Sequence, residues 1–306
     1  MRPTVLATIA CVVAAACWAA SAVIAAGAFE RGMSPERLAQ SRVVTSLVPL
    51  AVYLVIARRD LLRPPRAALP AIIGFGACMV IVNFSYYLAI ALVPVGVAIA
   101  LQYTAPVLIL VVTAVVTRTS PHRFVWLAGA LTLAGAILVS GALAGDAGQE
   151  LNGAGLLSGV VAALSFAGYL VTAELAGRRG AHPVTSLFIG FVVAAVIWGI
   201  ALPWWDWPVE LLADPQILWR VLAVGLIGTL LPFGLAVAAL RWISSALAGI
   251  ATTTEPVLAA ALAWVFLGQA LTAPQLVGGA LVVAGVLTAQ LTHAPSAEVA
   301  PVEIAP

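Results

Sequence analysis

The chain contains no lysine. All 14 of its basic residues are arginine, which excludes Schiff-base chemistry and any lysine switch. Histidine is nearly as scarce. His122, His182 and His293 fall at span edges or in the tail, so an intramembrane histidine relay is excluded. Three cysteines, Cys11, Cys17 and Cys78, lie inside apolar runs with no CxxC among them, which argues against a disulfide frame or a zinc site. There is no HExxH, no P-loop and no GxSxG elbow, so neither hydrolytic chemistry nor ATP-driven pumping has a seat here. Charge of either sign is thin, at 8% of residues, and the net charge of +2 comes from arginines in scattered loops rather than from a patch. That pattern excludes a nucleic-acid partner. No polar stretch is long enough for a soluble domain, no ring of charge or glycine-rich filter marks a channel, and no cofactor or metal is expected.

Apolar residues take the vacant places. They make up 63% of the 306 residues, with a mean hydropathy of +1.12, more than a soluble chain of this length could hide. The longest uncharged run lies between Arg66 and Arg118; it is too long for one span and must turn near Leu92-Val93-Pro94. Apolar runs bounded by loop charges predict ten helices, at 4–28, 38–57, 67–90, 94–117, 124–145, 152–175, 183–204, 217–240, 245–267 and 273–292. Each approaches the ~20 residues that cross a hydrocarbon core. With the N-terminus inside, Arg2, Arg58, Arg59, Arg63, Arg66, Arg118, Arg123, Arg178, Arg179 and Arg241 face the cytoplasm, against Arg31, Arg37 and Arg220 outside. Ten against three is a positive-inside bias and predicts that both termini are cytoplasmic. Asp146, Glu150, Asp206, Glu210 and Asp214 then fall in outer loops, and Trp204, Trp205 and Trp207 in the outer aromatic belt. The arginine-rich, lysine-free composition suggests a bacterial inner membrane. Arg2 and the run ending Ala25-Ala26-Gly27-Ala28 also resemble a signal peptide. Cleavage there would leave nine helices and spoil the internal pairing described next, so the run is read as the first span.

The chain repeats itself. Thr104-Ala105-Pro106-Val107-Leu108 returns 150 residues later as Thr254-Glu255-Pro256-Val257-Leu258. At the same offset Gly129, Ala130, Leu131, Ala134 and Gly135 fall on Gly279, Ala280, Leu281, Ala284 and Gly285. Arg31-Gly32-Met33-Ser34-Pro35 pairs with Arg179-Gly180-Ala181-His182-Pro183 at an offset of 148, and Trp18 falls on Phe166. Five spans per half is an odd number, so the second half must enter the membrane upside down. The expected fold is an all-α integral membrane protein of ten transmembrane helices in two inverted five-helix repeats, residues 1–148 and 149–292, with a cytoplasmic tail at 293–306.

Within the spans a few polar residues are conspicuous. Glu255 lies inside the ninth span among Thr252, Thr253, Thr254 and Pro256. An acid at mid-membrane costs roughly 2.5–3.5 kcal/mol on insertion scales. It reads as a ligand for a substrate amine or as a proton-coupling group, the plainer alternative being a carboxyl that serves freed backbone beside a kink. Pro106 and Pro256 each remove a backbone hydrogen bond and kink their helices. Gln102, whose carbonyl Pro106 frees, and Tyr103 can point into a cavity or serve the kink. In the third span Asn83 and Tyr87 share a face. Asn83 reads as helix glue and Tyr87 as cavity lining, with Tyr86 beside them. Trp18 and Tyr169 are the aromatic candidates of the first and sixth spans, with ordinary packing as their alternative. Arg42 is costly in the second span but near its outer end, where it can snorkel. Glu174 and Arg178, four apart, are set to pair. Ala130 and Ala134, matched by Ala280 and Ala284, form small-residue stripes that read as close helix packing, between the halves or between protomers.

These features resemble the EamA-type branch of the drug/metabolite transporter superfamily. The resemblance rests on the ten spans, the paired halves, Trp18, Arg42, the stretch Pro94 to Pro106 and the stretch Thr254 to Thr272, and it covers nearly all of residues 4–292. Within that branch the chain is most similar to the amino-acid exporters of the threonine and homoserine efflux type. Two positions depart from the pattern: Gln269 stands where the family often has Glu after Leu-Gly, and Gln102 where the homoserine exporters have Glu. The resemblance implies export of amino acids or related small metabolites through a central cavity built by both halves.

The expected function is therefore secondary export of small zwitterionic metabolites across the lipid bilayer. Tyr87, Gln102, Tyr103 and Glu255 would contact the substrate, with Trp18, Asn83 and Tyr169 as further candidates. A proton is the candidate exchange partner at Glu255, and uncoupled facilitated diffusion is equally open. Efflux of lipophilic cations, with aromatic rings and a carboxylate as counter-charge, is a second reading. An intramembrane enzyme or structural subunit is a third, disfavoured by the missing catalytic set.

Overall fold

The computed structural model describes residues 2–93, 95–141, 152–267 and 270–291, and among these every regular element is helical. Pro94, Asp146, Glu150, Gln269, His293 and the tail at 293–306 lie outside the described residues. The first half holds α1 (Pro3–Phe29), α2 (Pro35–Ala57), α3 (Leu69–Leu92), α4 (Val95–Gln102), α5 (Ala105–Thr117) and α6 (Arg123–Val139). The second holds α7 (Gly153–Arg178), α8 (Pro183–Ala201), α9 (Pro215–Gly225), a π turn (Leu226–Leu230), α10 (Leu231–Ala239), α11 (Ser245–Thr252), α12 (Glu255–Leu267) and α13 (Ala273–Leu291).

Local sequence accounts for the starts. Proline opens α2, α8 and α9 and falls in the first turn of α3 and α5, where its missing N–H has no intrahelical acceptor to lose. Ser34, Asn152, Asp214 and Ser244 cap their helices by accepting from the first free amides, as N-cap side chains do. His122 and His182 do the same through a ring nitrogen. Nine helical segments among the described residues are long and apolar enough to cross a membrane, and Arg123–Val139, at 17 residues, is a shorter tenth. The protein is an all-α, multi-pass membrane protein.

Three of the expected spans are not continuous helices. The fourth is α4 plus α5 and the ninth is α11 plus α12, and each pair is 8 and 13 residues long. The chain breaks at Tyr103-Thr104 and again at Thr253-Thr254. Pro106 and Pro256 therefore start new helices instead of kinking old ones. The loosened carbonyls are met by side chains, since lipid offers no donors. Thr104 Oγ1 donates to Leu101 O at 2.7 Å and Thr254 Oγ1 to Ala251 O at 2.8 Å. The eighth span is interrupted by the π turn between α9 and α10. The fifth and seventh spans end earlier than expected, at Val139 and Ala201.

Helix packing is reciprocal between the halves. α3 lies along α7, and its counterpart, the α9–α10 span, lies along α1. α3 also packs on α8, and α9 and the π turn pack on α2. α4 meets α7, as α11 and α12 meet α1. The pairs α2 with α8 and α6 with α13 map onto themselves. Such an exchange pattern is that of a two-fold, and five spans per half invert one half against the other.

The α6–α13 seam is made backbone to backbone. A Cβ on Gly135 would lie 2.5 Å from Gly278 O, and one on Gly278 would lie 2.7 Å from Gly135 O. Ala128, Thr132, Gly278, Val282 and Gly285 are buried there, whereas Ala130, Ala134, Ala280 and Ala284 are exposed. The expected alanine stripes face outward and do not make the contact.

Both ends of the bundle are tied across the halves. At the end carrying residues 202–214, Gln40 Nε2 donates to Leu202 O at 2.6 Å and Trp207 Nε1 to Ser41 Oγ at 2.8 Å. Beneath them Met33 and Leu38 pack with Ile217, Val221 and Val224. Trp207 is thus docked on α2, while Trp205 is 83% exposed. At the opposite end Thr185 Oγ1 donates to Leu61 O at 2.8 Å, and Ala68, Ala71 and Ile72 pack with Ala176 and Ala181. Glu174 pairs with Arg178 as expected and also accepts from Ser245 N at 2.7 Å, fixing the start of α11. His182, which caps α8 at this end, has its pKa held below the ordinary value by partial burial, then by Arg241 and Arg58.

Candidate functional site

The two helix breaks face each other at the centre of the molecule. Tyr103 Oη donates to Glu255 Oε2 at 2.6 Å, joining positions 152 residues apart. Glu255 is the first residue of α12, so its carboxylate sits where unpaired amides and the helix dipole favour negative charge. That placement, with the tyrosine donor, is how an acid is accommodated in a span.

A chain of aromatic rings runs from this pair. Tyr103 meets Phe166 at 6.3 Å between centroids, Phe166 meets Tyr169 at 5.3 Å, and Tyr169 meets Phe233 at 5.5 Å. Trp18 stands edge-on to both Phe166 and Phe233. Rings at these separations pack favourably edge to face. Tyr169 is fully buried, and its Oη, like Oε1 of buried Gln102, has no partner among the described residues. Unpaired buried polar atoms are uncommon and need an occupant or a reason.

A second polar centre lies at Arg42. The side chain is 8% exposed and does not snorkel: two elements, α3 and the π turn, cover it instead. Nε donates to Thr229 Oγ1 at 2.7 Å, Nη1 to Asn83 Oδ1 at 3.0 Å and Nη2 to Gly228 O at 2.9 Å. The π turn makes the seat possible. Thr229 Oγ1 donates back to Val224 O at 2.8 Å, and the widened turn presents the Gly228 carbonyl to the guanidinium. Arg42 is also the cation whose charge reaches Glu255.

The expected residues thus divide. Trp18, Tyr103, Tyr169 and Glu255 come together in one hydrogen-bonded and ring-packed array. Asn83 joins Arg42, its Nδ2 meanwhile donating to Met79 O at 2.6 Å, so it ties α2 to α3. Gln102 is buried at the end of α4. Tyr87 is half-buried with its ring 6.2 Å from that of Tyr86, and Tyr86 lies within electrostatic reach of Glu255 and Tyr103. Pro106 and Pro256 frame the breaks. Arg42, Tyr86, Phe166, Thr229 and Phe233 were not among the residues expected at a site. Arg42 and Thr229 carried a signal, being polar within spans; the phenylalanines carried none.

Comparison with known proteins agrees with this architecture. The EamA-like transporter family matches residues 5–141 and again 153–289, one copy for each half. The threonine/homoserine exporter RhtA of Escherichia coli K12 is 30% identical over 226 residues, covering 71% of this chain and 70% of that one. RhtA of Salmonella typhimurium LT2 is 30% identical over 218 residues, covering 69% and 67%. An uncharacterized transporter of Archaeoglobus fulgidus is 27% identical over 76% of this chain and 78% of its own. A protein of known crystal structure shares the fold, with a TM-score of 0.75 at 20% identity over 94% of this chain and 96% of that one. With a family match in each half and transporters as its relatives, the chain is a membrane transport protein of the EamA-like transporter family.

Proposed function

We propose that the protein exports small zwitterionic metabolites, amino acids foremost, by alternating access of its two halves to a central chamber. The observation that carries this reading is the Tyr103–Glu255 hydrogen bond across the two helix breaks. It places an acid at the interface between halves, where a substrate ammonium can compete for it and where rocking of the halves would make and break it. The relatives named as threonine/homoserine exporters support the substrate class. In this reading Glu255 and Tyr103 receive the amine, and Trp18, Tyr169 and Gln102 line the chamber. Tyr87 and Asn83 flank it, and a proton exchanges at Glu255 when no substrate is bound. Both termini lie in the cytoplasm of a bacterium whose inner membrane holds the protein, by the arginine bias.

The rings of Trp18, Phe166, Tyr169 and Phe233 beside a carboxylate favour a second reading, efflux of lipophilic cations. The buried guanidinium of Arg42 weighs against it, because a cationic substrate gains nothing from a second positive charge. Counterflow in liposomes containing the purified protein separates the two. The panel holds amino acids, nucleobases, sugar phosphates and a hydrophobic cation. Exchange of an amino-acid class upholds the proposal, and exchange of the cation alone replaces it with the second reading.

A further inference from the structure

Arg42 has an excess of donors and no ion-pair partner among the described residues. A guanidinium has five N–H groups, and three are used, on Thr229, Asn83 and Gly228. One N–H remains on each terminal nitrogen. Every partner is a neutral acceptor, and the ion pairs among the described residues are Arg31–Asp214, Arg58–Asp60 and Arg178–Glu174, all elsewhere. A buried cation without an anion is costly, by several kcal/mol after relaxation, and fastening a π turn does not require one. A neutral side chain could accept or donate there without that cost.

The guanidinium also borders a space. A pocket among Arg42, Asn83, Met79, Trp198, Thr229 and Phe233 has room for about one water-sized group, the size of a carboxylate oxygen. Phe233 thus belongs both to the wall of the Arg42 pocket and to the ring chain that leads to Tyr103 and Glu255.

We infer that the Arg42 pocket is a carboxylate subsite, where the α-carboxylate of the transported solute accepts from the two unused guanidinium N–H groups while its ammonium lies toward Glu255. The inference rests on the amino-acid reading above and adds to it the group that reads the acid end of the substrate. Guanidinium and carboxylate match in geometry as well as charge, so the pair distinguishes an acid from its amide. Asn83 and Thr229 act as positioning residues that hold the guanidinium plane, each accepting from Arg42 while donating to a backbone carbonyl of its own helix segment.

The test is counterflow of L-threonine in liposomes holding the full chain, with L-threonine or L-threoninamide as competitor. The amide keeps the ammonium and loses only the anionic end. In the wild type the acid should compete at least about tenfold more strongly than the amide, as expected for losing a charge-assisted pair. In Arg42→Gln the two competitors should come within about threefold of each other. A merely structural role for Arg42 would lower overall exchange and leave the ratio unchanged, and that result overturns the inference. Equal competition by acid and amide in the wild type also overturns it while leaving amino-acid export standing. Absence of any amino-acid exchange by the wild type overturns both. If Arg42→Gln does not elute as a folded protein, Arg42→Lys replaces it: charge is kept and the fork lost, so the ratio should fall below the wild-type value, and an unchanged ratio refutes the subsite.

Discussion

Glu255→Gln isolates charge from shape. Glutamine is nearly isosteric, and its Oε1 can still accept from Tyr103 Oη, so the 2.6 Å contact between the halves survives the change. The ring packing of Tyr103 on Phe166 is untouched. What goes is the negative charge at the start of α12. A hydrogen bond to a charged partner contributes about 1.5–3 kcal/mol net, and each 1.4 kcal/mol is tenfold in affinity. Loss of the carboxylate should therefore raise the half-saturating concentration of an amino-acid substrate by about 10- to 100-fold. Stability should not fall, because the roughly 2.5–3.5 kcal/mol that a mid-span acid costs on insertion scales is removed along with the charge. Two measurements on one preparation suffice: thermal unfolding in detergent and substrate-dependent counterflow across pH. The proposal expects an equal or higher Tm, weakened exchange, and loss of whatever pH dependence the wild type shows. A folded Glu255→Gln protein that exchanges amino acids with wild-type affinity and wild-type pH dependence would refute both roles of this residue.

Three further outcomes follow from the geometry. Gly278→Leu should force α6 and α13 apart, since its Cβ alone would lie 2.7 Å from Gly135 O, at a cost of about 1–3 kcal/mol or more; Ala280→Leu on the exposed face of the same helix is the control that should leave Tm unchanged. Tyr169→Phe should be neutral or slightly stabilising because its buried Oη has no partner among the described residues, whereas Tyr103→Phe should cost about 0.6–1.7 kcal/mol, the range for hydrogen bonds between membrane helices; equal Tm losses in the two variants would contradict this assignment. His182 has a folded pKa below its ordinary 6.5, so the unfolded chain binds the proton more readily; the stability it adds is present above about pH 6.5 and lost as pH falls toward the folded value. Its Nδ1 accepts from Val184 N at 3.3 Å, so His182→Asn keeps a cap that does not titrate, and the variant should show a flatter Tm between pH 7.5 and 5.5 than the wild type.

The sequence announced the scaffold because its strongest signals are local. Prolines and threonines at matching registers in two apolar runs predict two equivalent disturbances, expected as kinks and found as breaks, and an acid beside one of them is too expensive to be incidental. Arg42 was misplaced because distance along a span says how near water a residue is only when nothing covers it; α3 and the π turn cover it. The π turn itself has no residue signature. The phase of α6 and α13 was also illegible. In lipid both faces of a helix are apolar, so the periodicity that separates core from surface in a soluble helix is missing. Alanines at 130 and 134 looked as suitable for packing as Gly135 does. Tyr86 and Tyr87 differ by one position, about 100° around the helix, and only the packing of neighbouring helices decides which neighbour each of them faces.

The candidate site sits where the repeat fails. The backbone is duplicated closely: helix pairs of 8 and 13 residues in each half, and hydroxyl contacts from Thr104 and Thr254 to carbonyls 150 residues apart. The charged side chains are not. Glu255 is matched by Ala105, Tyr103 by Thr253, and Arg42 by Gly190 at the offset of 148. At Gly190 there is no second seat for a guanidinium, since a Cβ there would already lie 2.4 Å from Cε1 of Phe75. A symmetric scaffold gives the two rocked arrangements proposed above similar packing, so neither is strongly favoured by the fold alone. In the reading proposed above the asymmetric charges serve recognition instead, with an acid contributed by α12 and a guanidinium by α2 for the two ends of one solute. Restoring symmetry should therefore damage recognition before it damages folding. Exchanging the register, with Glu255→Ala and Ala105→Glu together, should leave the breaks intact, since both positions open a helix whose next residue is proline. It should abolish amino-acid exchange, because the acid no longer stands where Tyr103 can hold it. Retained exchange in that double variant would mean that the chamber reads its substrate without a fixed polarity, and the assignment of the two charges to the two ends of one zwitterion would fail.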